Sequence, residues 1–294
     1  EESNATPTST LGPTSATESG FPITVVDSNG QEIVFESPPQ RIISFSPALT
    51  ETLFALGVGD RIVATDDFSD YPPEAEGIPK VGGAFNINLE RVAKLEPDLV
   101  FLSFGRFAPD IEKLGIRVLF QEPADTLPGV LKEIQSMGRI VGQPTVAEEL
   151  AKTMETRIQK VRDKVATVEQ GPLVFYELDP LLYTVSPASF IGSLFTILKA
   201  QNVAADAESD FPQLSAEIII QRNPEVIMLA DSAQFTPQKE TPETVAARPG
   251  WDSIKAVKQG RIYAVSPSLV SRPGPRIVLG LEELAALLYP KLFP

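Results

Sequence analysis

Asp66, Asp67 and Asp70 fall close together in the stretch TDDFSDYPPEAEG. Grouped carboxylates can bind a cation or move a proton. The spacing of these three matches no calcium loop, so a solvated loop is expected. The rest of the catalytic repertoire is thin. The 294 residues include no His and no Cys, which makes a Ser-His-Asp triad and a Cys-His pair impossible. Structural zinc and iron–sulfur sites lose their usual ligands as well. Gly57-Val-Gly59 lacks the third glycine of a dinucleotide loop, and no Walker A sequence is present. The expectation is a protein that binds rather than catalyses, with neither a metal nor a cofactor of its own.

Aromatic residues offer a different chemistry. Phe68, Tyr71, Phe85, Phe104, Phe107, Tyr183, Phe190, Phe211 and Trp251 lie at or near expected strand ends. In open α/β sheets, ligands bind beyond the carboxyl ends of the strands. Aromatic walls there suit a large, flat, partly apolar molecule. Core packing is the commoner role for any single ring, but the set points to a pocket.

These residues need a scaffold. Two β-rich runs flank Asn29-Gly30, a strong hairpin signal. Strands are then expected at 41–45, 61–65, 98–102 and 117–120, with helices at 50–56, 89–95 and 109–114 between them. That alternation indicates a mainly parallel sheet. Residues 145–168 break the rhythm. Val146, Leu150, Met154, Ile158, Val161 and Val165 recur every three or four residues, forming one apolar stripe on a long helix that Gly171-Pro172 ends. No Gly or Pro interrupts this helix, so it has no obvious hinge.

A second block then repeats the first, with strands at 173–176, 225–229 and 261–265 and helices at 189–200, 216–221 and 275–289. One internal echo stands out: Asn88-Leu-Glu90 precedes Pro97 as Ser215-Ala-Glu217 precedes Pro224. In each case Glu lies seven residues before Pro, and an apolar strand follows. The expected fold is α/β, with two Rossmann-like lobes joined by a single long helix and a cleft between them. Residues 21–142 form the first lobe, 143–170 the connection and 171–294 the second.

The net charge of −14 argues against nucleic acid, whose binding needs a basic surface. No run of 18 apolar residues is present to span a bilayer. Residues 1–20 are Ser, Thr, Pro, Gly and Glu with little to bury, and are expected to be a disordered tether. Such a tether suits a lipid-anchored exported protein.

Several stretches resemble the substrate-binding proteins that serve ABC importers of cobalamin and iron-siderophores. They are PQRIIS from Pro39, SPALTE from Ser46, DFSDYPPE from Asp67, NLERV from Asn88, LEPDLV from Leu95, FPQLS from Phe211 and RPGPRI from Arg272. The likeness covers about residues 22–290 and is strongest to the cobalamin binders, through SDYPPEA and the Pro-Arg-Ile helix start. It implies an extracytoplasmic monomer with little hinge motion that hands a small molecule, corrinoid or iron chelate, to a membrane permease. Tyr71 and Phe211 would be cleft walls, Tyr183 a further aromatic and Arg272 a ligand contact. Glu90 and Glu217 would dock the two lobes onto the permease subunits. Two positions depart from the pattern: Ala84 replaces a cleft Trp, with Phe85 beside it, and Ser268 stands where a cleft Asp is expected.

Overall fold

The computed structural model describes residues 20–237 and 240–294. The expected tether, apart from Gly20, lies outside them. The hairpin comes first: β1 (Ile23–Val26) pairs antiparallel with β2 (Glu32–Phe35). Its loop is five residues, 27–31, rather than the two-residue turn that Asn-Gly suggests. Asp27 Oδ1 accepts from the Asn29 and Gln31 N–H groups, and Gly30 takes the left-handed conformation that closes the loop.

The first lobe runs β3 (Ile42–Phe45), α1 (Pro47–Ala55), β4 (Ile62–Thr65), α2 (Leu89–Lys94), β5 (Leu99–Leu102), α3 (Ala108–Glu112) and β6 (Val118–Phe120). Helices α4 (Leu127–Ile140) and α5 (Pro144–Val165) follow. The second lobe runs β7 (Leu173–Glu177), α6 (Phe190–Ile197), β8 (Gln201–Asn202), α7 (Ala216–Arg222), β9 (Val226–Leu229), α8 (Pro242–Ala246), α9 (Lys255–Lys258), β10 (Ile262–Ala264), α10 (Pro267–Val270) and α11 (Ile277–Leu288).

Both sheets are parallel, with strand orders β4-β3-β5-β6 and β8-β7-β9-β10. Within each lobe that is the same order, second-first-third-fourth, so the internal echo is a repeat of topology. Strands β3, β5 and β9 are buried along their whole length, as parallel strands covered on both faces should be.

The long helix spans Pro144–Val165, about 33 Å at 1.5 Å per residue. Pro144 starts it at a position where a missing N–H is harmless. Its buried face corrects the expected stripe. Met154, Ile158, Val161 and Val165 are buried, but Val146 is exposed and Leu150 only half-buried; Ala147 and Ala151 take the core side instead. The reason is α4, a helix that was not expected and that packs along α5. Two helices side by side need small residues where they approach. Gly138 of α4 meets Ala147 so closely that a Cβ there would sit 2.2 Å from the alanine methyl. Helix α11 packs on α5 from the second lobe. One apolar cluster therefore runs from Phe35 through Met154 and Ile158 to Leu281 and Leu284, and the lobes share a core as well as a connection.

Candidate functional site

The carboxyl ends of the two sheets face each other. The segment after β10 reaches into the first lobe, where a Cβ on Gly274 would lie 3.2 Å from the Ala48 carbonyl oxygen. Glycine permits this close contact between lobes. Beside it lies an ion network. Glu51, on α1, has a side chain only 2% exposed. It accepts a two-pronged bond from Arg276, at 2.8 and 2.6 Å, and a longer one of 3.3 Å from Arg272. Arg272 also donates to both oxygens of Asp70, at 2.6 and 3.3 Å, and to the Phe68 carbonyl. Its hydrogen bonds hold the Asp70 carboxyl below the ordinary value. The Arg276 guanidinium also sits 3.7 Å from the centre of the Tyr71 ring, a cation–π contact. Glu51, Asp70 and Tyr71 belong to the first lobe, Arg272 and Arg276 to the second.

A buried polar chain positions the 66–71 loop. Asp66 is buried, which corrects the expectation of a solvated aspartate cluster. It accepts from the Ser69 hydroxyl at 2.6 Å and from the Phe68 N–H at 2.7 Å. The Ser69 hydroxyl oxygen lies 2.8 Å from that of Thr50, which lies 2.9 Å from that of Ser44 on β3. Lys80 donates to Thr65 and to the Ser69 and Ala75 carbonyls. Burial raises the Asp66 carboxyl, against the pull of these donors and of Lys80. The chain anchors the loop to the ends of β3 and β4, and so presents Asp70 and Tyr71 to the second lobe.

The nine aromatics separate into two groups. Phe68, Tyr71, Phe85, Phe104, Tyr183 and Phe211 are exposed at the carboxyl side of the sheets, with Phe85 84% accessible. Tyr183 bridges Gln213, and the two loops bearing Tyr183 and Phe211 form a short antiparallel ladder. Phe107 and Phe190 pack against the core. Trp251 is fully buried, edge-on to Phe175 and beneath Arg248, so it belongs to the second lobe's core and not to a cleft wall.

Between the lobes is a cavity of about 280 Å³, lined by Ser46, Ala48, Ser103, Phe104, Gln121 and Glu133 of the first lobe and Ser271, Arg272 and Pro273 of the second. A larger concavity of about 500 Å³ lies against β2 and residues 115–118. It sits at the amino end of β6, the edge of the sheet opposite the cleft.

Glu90 and Glu217 both occupy the second position of a capped helix. The Asn88 side chain accepts from the Arg91 N–H, and Ser215 accepts from the Ile218 N–H. Both glutamates are exposed. Helix α2 joins the second strand of its lobe to the third, and so does α7, which makes the two positions topologically equivalent. Each helix starts on the side where its lobe's strands end, the side of the cleft. Backbone N–H bonding and Ser215 hold the Glu217 carboxyl below its ordinary value.

The sequence reading did not single out Glu51, Arg276, Gln121, Glu133 or a buried group in the second lobe. Glu51 carried a signal: one carboxylate within the apolar run from Ala48 to Leu56 needs a partner once buried. In the second lobe, Glu177 is fully buried at the end of β7. It pairs with both arms of Arg248, at 2.7 and 2.6 Å, and Arg248 also meets Glu240. Asp231 is buried beside them, and among the described residues neither of its oxygens finds a hydrogen-bond partner. Three carboxylates around one guanidinium favour keeping a proton. Burial pushes Glu177 up to about 7 despite Arg248, and raises Asp231 too.

Both carboxyls are raised above their unfolded values. Glu177 therefore costs stability as pH climbs from its unfolded value of 4.5 through about 7, and Asp231, raised from 3.8, adds to the loss in the same direction. Asp231→Asn removes one ionisation and lets an amide N–H face Glu177. The variant is expected to melt higher than wild type at pH 8 and to differ less at pH 5. A lower melting point at pH 8 would contradict this.

The profile of the periplasmic binding protein family matches residues 42–269. An uncharacterised ABC transporter substrate-binding lipoprotein of Bacillus subtilis (strain 168) is 35% identical over 283 residues, covering 93% of this chain and 87% of that protein. Among solved structures, a possible iron-binding, periplasmic solute-binding protein of Staphylococcus epidermidis superposes with a TM-score of 0.74. It is 29% identical and covers 86% of this chain and 100% of that one. The periplasmic vitamin B12-binding protein of Vibrio cholerae gives 0.73 at 26% identity, covering 85% and 97%. With two like lobes, a cleft between their strand ends and these likenesses, the chain belongs to the periplasmic binding protein family, as a substrate-binding protein of an ABC transporter.

Proposed function

We propose that the cleft captures a corrinoid, cobalamin or a near relative, and delivers it to the importer's permease without chemical change. The observation that carries the reading is the group of exposed rings, Tyr71, Phe85, Phe104, Tyr183 and Phe211, on the cleft-side loops of both lobes. Exposed rings gathered on one side mark a surface that something covers. A cavity of about 280 Å³ falls just below the usual range for small-molecule sites, roughly 300–1,000 Å³. A corrinoid would therefore rest across the cleft mouth on these rings, with its rim groups reaching down into the cavity. Likeness to the V. cholerae vitamin B12-binding protein supports this reading. A lipid anchor is part of the same proposal, supported by the B. subtilis lipoprotein.

Calorimetric titration with cyanocobalamin tests it. Wild type is expected to bind. Tyr71→Ala and Phe211→Ala are each expected to weaken binding two- to tenfold, since a stacked ring contributes about 0.5–1.5 kcal/mol beyond its buried area. Wild-type protein that binds no corrinoid sinks the assignment. An iron chelate is the second reading, favoured by the likeness to the S. epidermidis protein. His ligation of a haem is ruled out because the chain has no His, while Tyr71 and Tyr183 leave phenolate ligation open. The visible spectrum of protein purified from its native host separates corrinoid, haem and ferric chelate.

A further inference from the structure

Glu133 lines the interlobe cavity from α4 without a cation to neutralise it. Gln121 donates to it at a long 3.4 Å, and the Ala124 N–H lies against it. Among the described residues no Lys or Arg lies within ion-pair distance of it. Arg272 lines the same cavity, but its guanidinium is taken up by Glu51 and Asp70. Arg276 is likewise held by Glu51 and stacked on Tyr71. Arg106 is exposed on the loop after β5 and stacks on Phe107 instead of lining the cavity. Ser46, at the start of α1, offers a hydroxyl that does not cap its helix. Ser103 and Gln121 add two more short polar groups to the walls, and Phe104 adds an apolar face.

A half-buried carboxylate with neutral amide donors and no cation beside it has acceptor capacity left for a ligand donor. We propose that Glu133 is a specificity-determining residue of the cleft, accepting an amide or ammonium N–H from the ligand and turning anionic chelates away. The inference rests on the reading that the cleft is the ligand site, and it names the chemistry that site selects. A corrinoid carries a rim of primary amides that can supply such donors. A ferric tris-catecholate brings several negative charges instead. It would meet Glu133, Glu51 and Asp70 with both nearby guanidinium groups already committed, and like charges brought together in a dry site repel strongly.

The groups facing Glu133 set its titration. Burial pushes its carboxyl up to about 7, opposed by Gln121 and the Ala124 N–H and reinforced by Asp125. A ligand donor stabilises the carboxylate, so binding releases a proton from the half of the molecules that carry one near pH 7. Affinity for a donor ligand should then rise about tenfold between about pH 6 and about pH 8, flattening above. Cyanocobalamin has no group of its own that titrates across this window.

The experiment titrates the full chain with cyanocobalamin, cobinamide and a ferric tris-catecholate at about pH 6 and about pH 8. Glu133→Gln and Glu133→Lys are titrated in parallel, and thermal unfolding checks that each variant is folded. Wild type should bind the two corrinoids with the tenfold rise and show no binding of the tris-catecholate. Glu133→Gln should bind them with affinity independent of pH, and more weakly than wild type at the higher pH. Glu133→Lys should lose corrinoid affinity and admit the anionic chelate. If corrinoids bind wild type with no pH dependence, and equally well in Glu133→Gln, Glu133 has no such role while corrinoid capture stands. If wild type binds only the tris-catecholate, or none of the three, the corrinoid reading and the role of Glu133 both fall.

Discussion

Reversing Glu90 and Glu217 to Arg together is expected to abolish ligand uptake and binding to the permease, while ligand affinity and melting temperature stay near wild type. The two residues sit at equivalent points of two lobes with the same strand order, each in the first turn of a capped, exposed helix on the cleft side. A carboxylate in a first helical turn complements the helix dipole, and that alone would account for either residue. It does not account for the match between them. A carboxylate can also accept two parallel bonds from a guanidinium fork, which orients a partner as well as attracting it. One such group on each lobe would seat the cleft between two membrane subunits. Charge reversal replaces attraction by repulsion at both points, so its effect should exceed that of either single change. Uptake in cells, capture of the solubilised permease and calorimetry with the ligand read the three quantities separately. Normal uptake by the double variant would refute docking and leave the glutamates as helix-end charges.

Replacing Glu51 by Gln is expected to be the most damaging single change to stability. The carboxylate is almost fully enclosed and anchors two guanidinium groups from the other lobe. Removing one partner of a buried ion pair leaves charge behind without compensation and typically costs about 3–5 kcal/mol. Arg272 keeps Asp70, so Arg276 is the group that loses its direct carboxylate partner, left with the Tyr71 ring and the more distant charge of Asp70. The variant should unfold at markedly lower denaturant. A double-mutant cycle with Arg276→Met should show strong coupling, because removing both charges relieves the penalty.

The same pairs hold the lobes together, and this bears on motion. Helix α5 has no internal hinge and is clamped by α4 and α11, so wild-type scattering curves with and without ligand should nearly superimpose. Glu51→Gln should broaden the interlobe distribution. A variant that unfolds within about 0.5 kcal/mol of wild type, with unchanged scattering, would show that the network does not join the lobes.

Local pattern was enough to read the paired α/β blocks, the long helix and the equivalence of Glu90 with Glu217. These are local properties: alternating strand and helix patterns, Pro and Gly at ends, and a Glu at a set distance from a Pro can all be read along one stretch of chain. The polar cap at Asn88 or Ser215 needs only its own next three residues. The aromatic loop positions were legible for the same reason, since strand ends mark where loops must begin. Fate inside or outside the core was not. Trp251 and Phe211 are both aromatics that the sequence places near strand ends, yet one is enclosed by Phe175 and Arg248 and the other faces solvent. The buried face of α5 was misread by one residue at its start, because α4 lies against it and admits Ala147 and Ala151 where Val146 and Leu150 would crowd.

The charged floor of the cleft was beyond any local pattern. Glu51 meets Arg276 across 225 residues, and Asp70 meets Arg272 across 202. Sequence spacing carries no information on such pairs, because the folding of two lobes onto a shared core creates them. Glu133 is the same case in reverse. In sequence it is an ordinary polar residue in a stretch where no element was expected. Only the closing of the second lobe over the ends of β3, β5 and β6 places it in a cavity whose other charges are already paired, and that enclosure is what turns a surface carboxylate into a selective one.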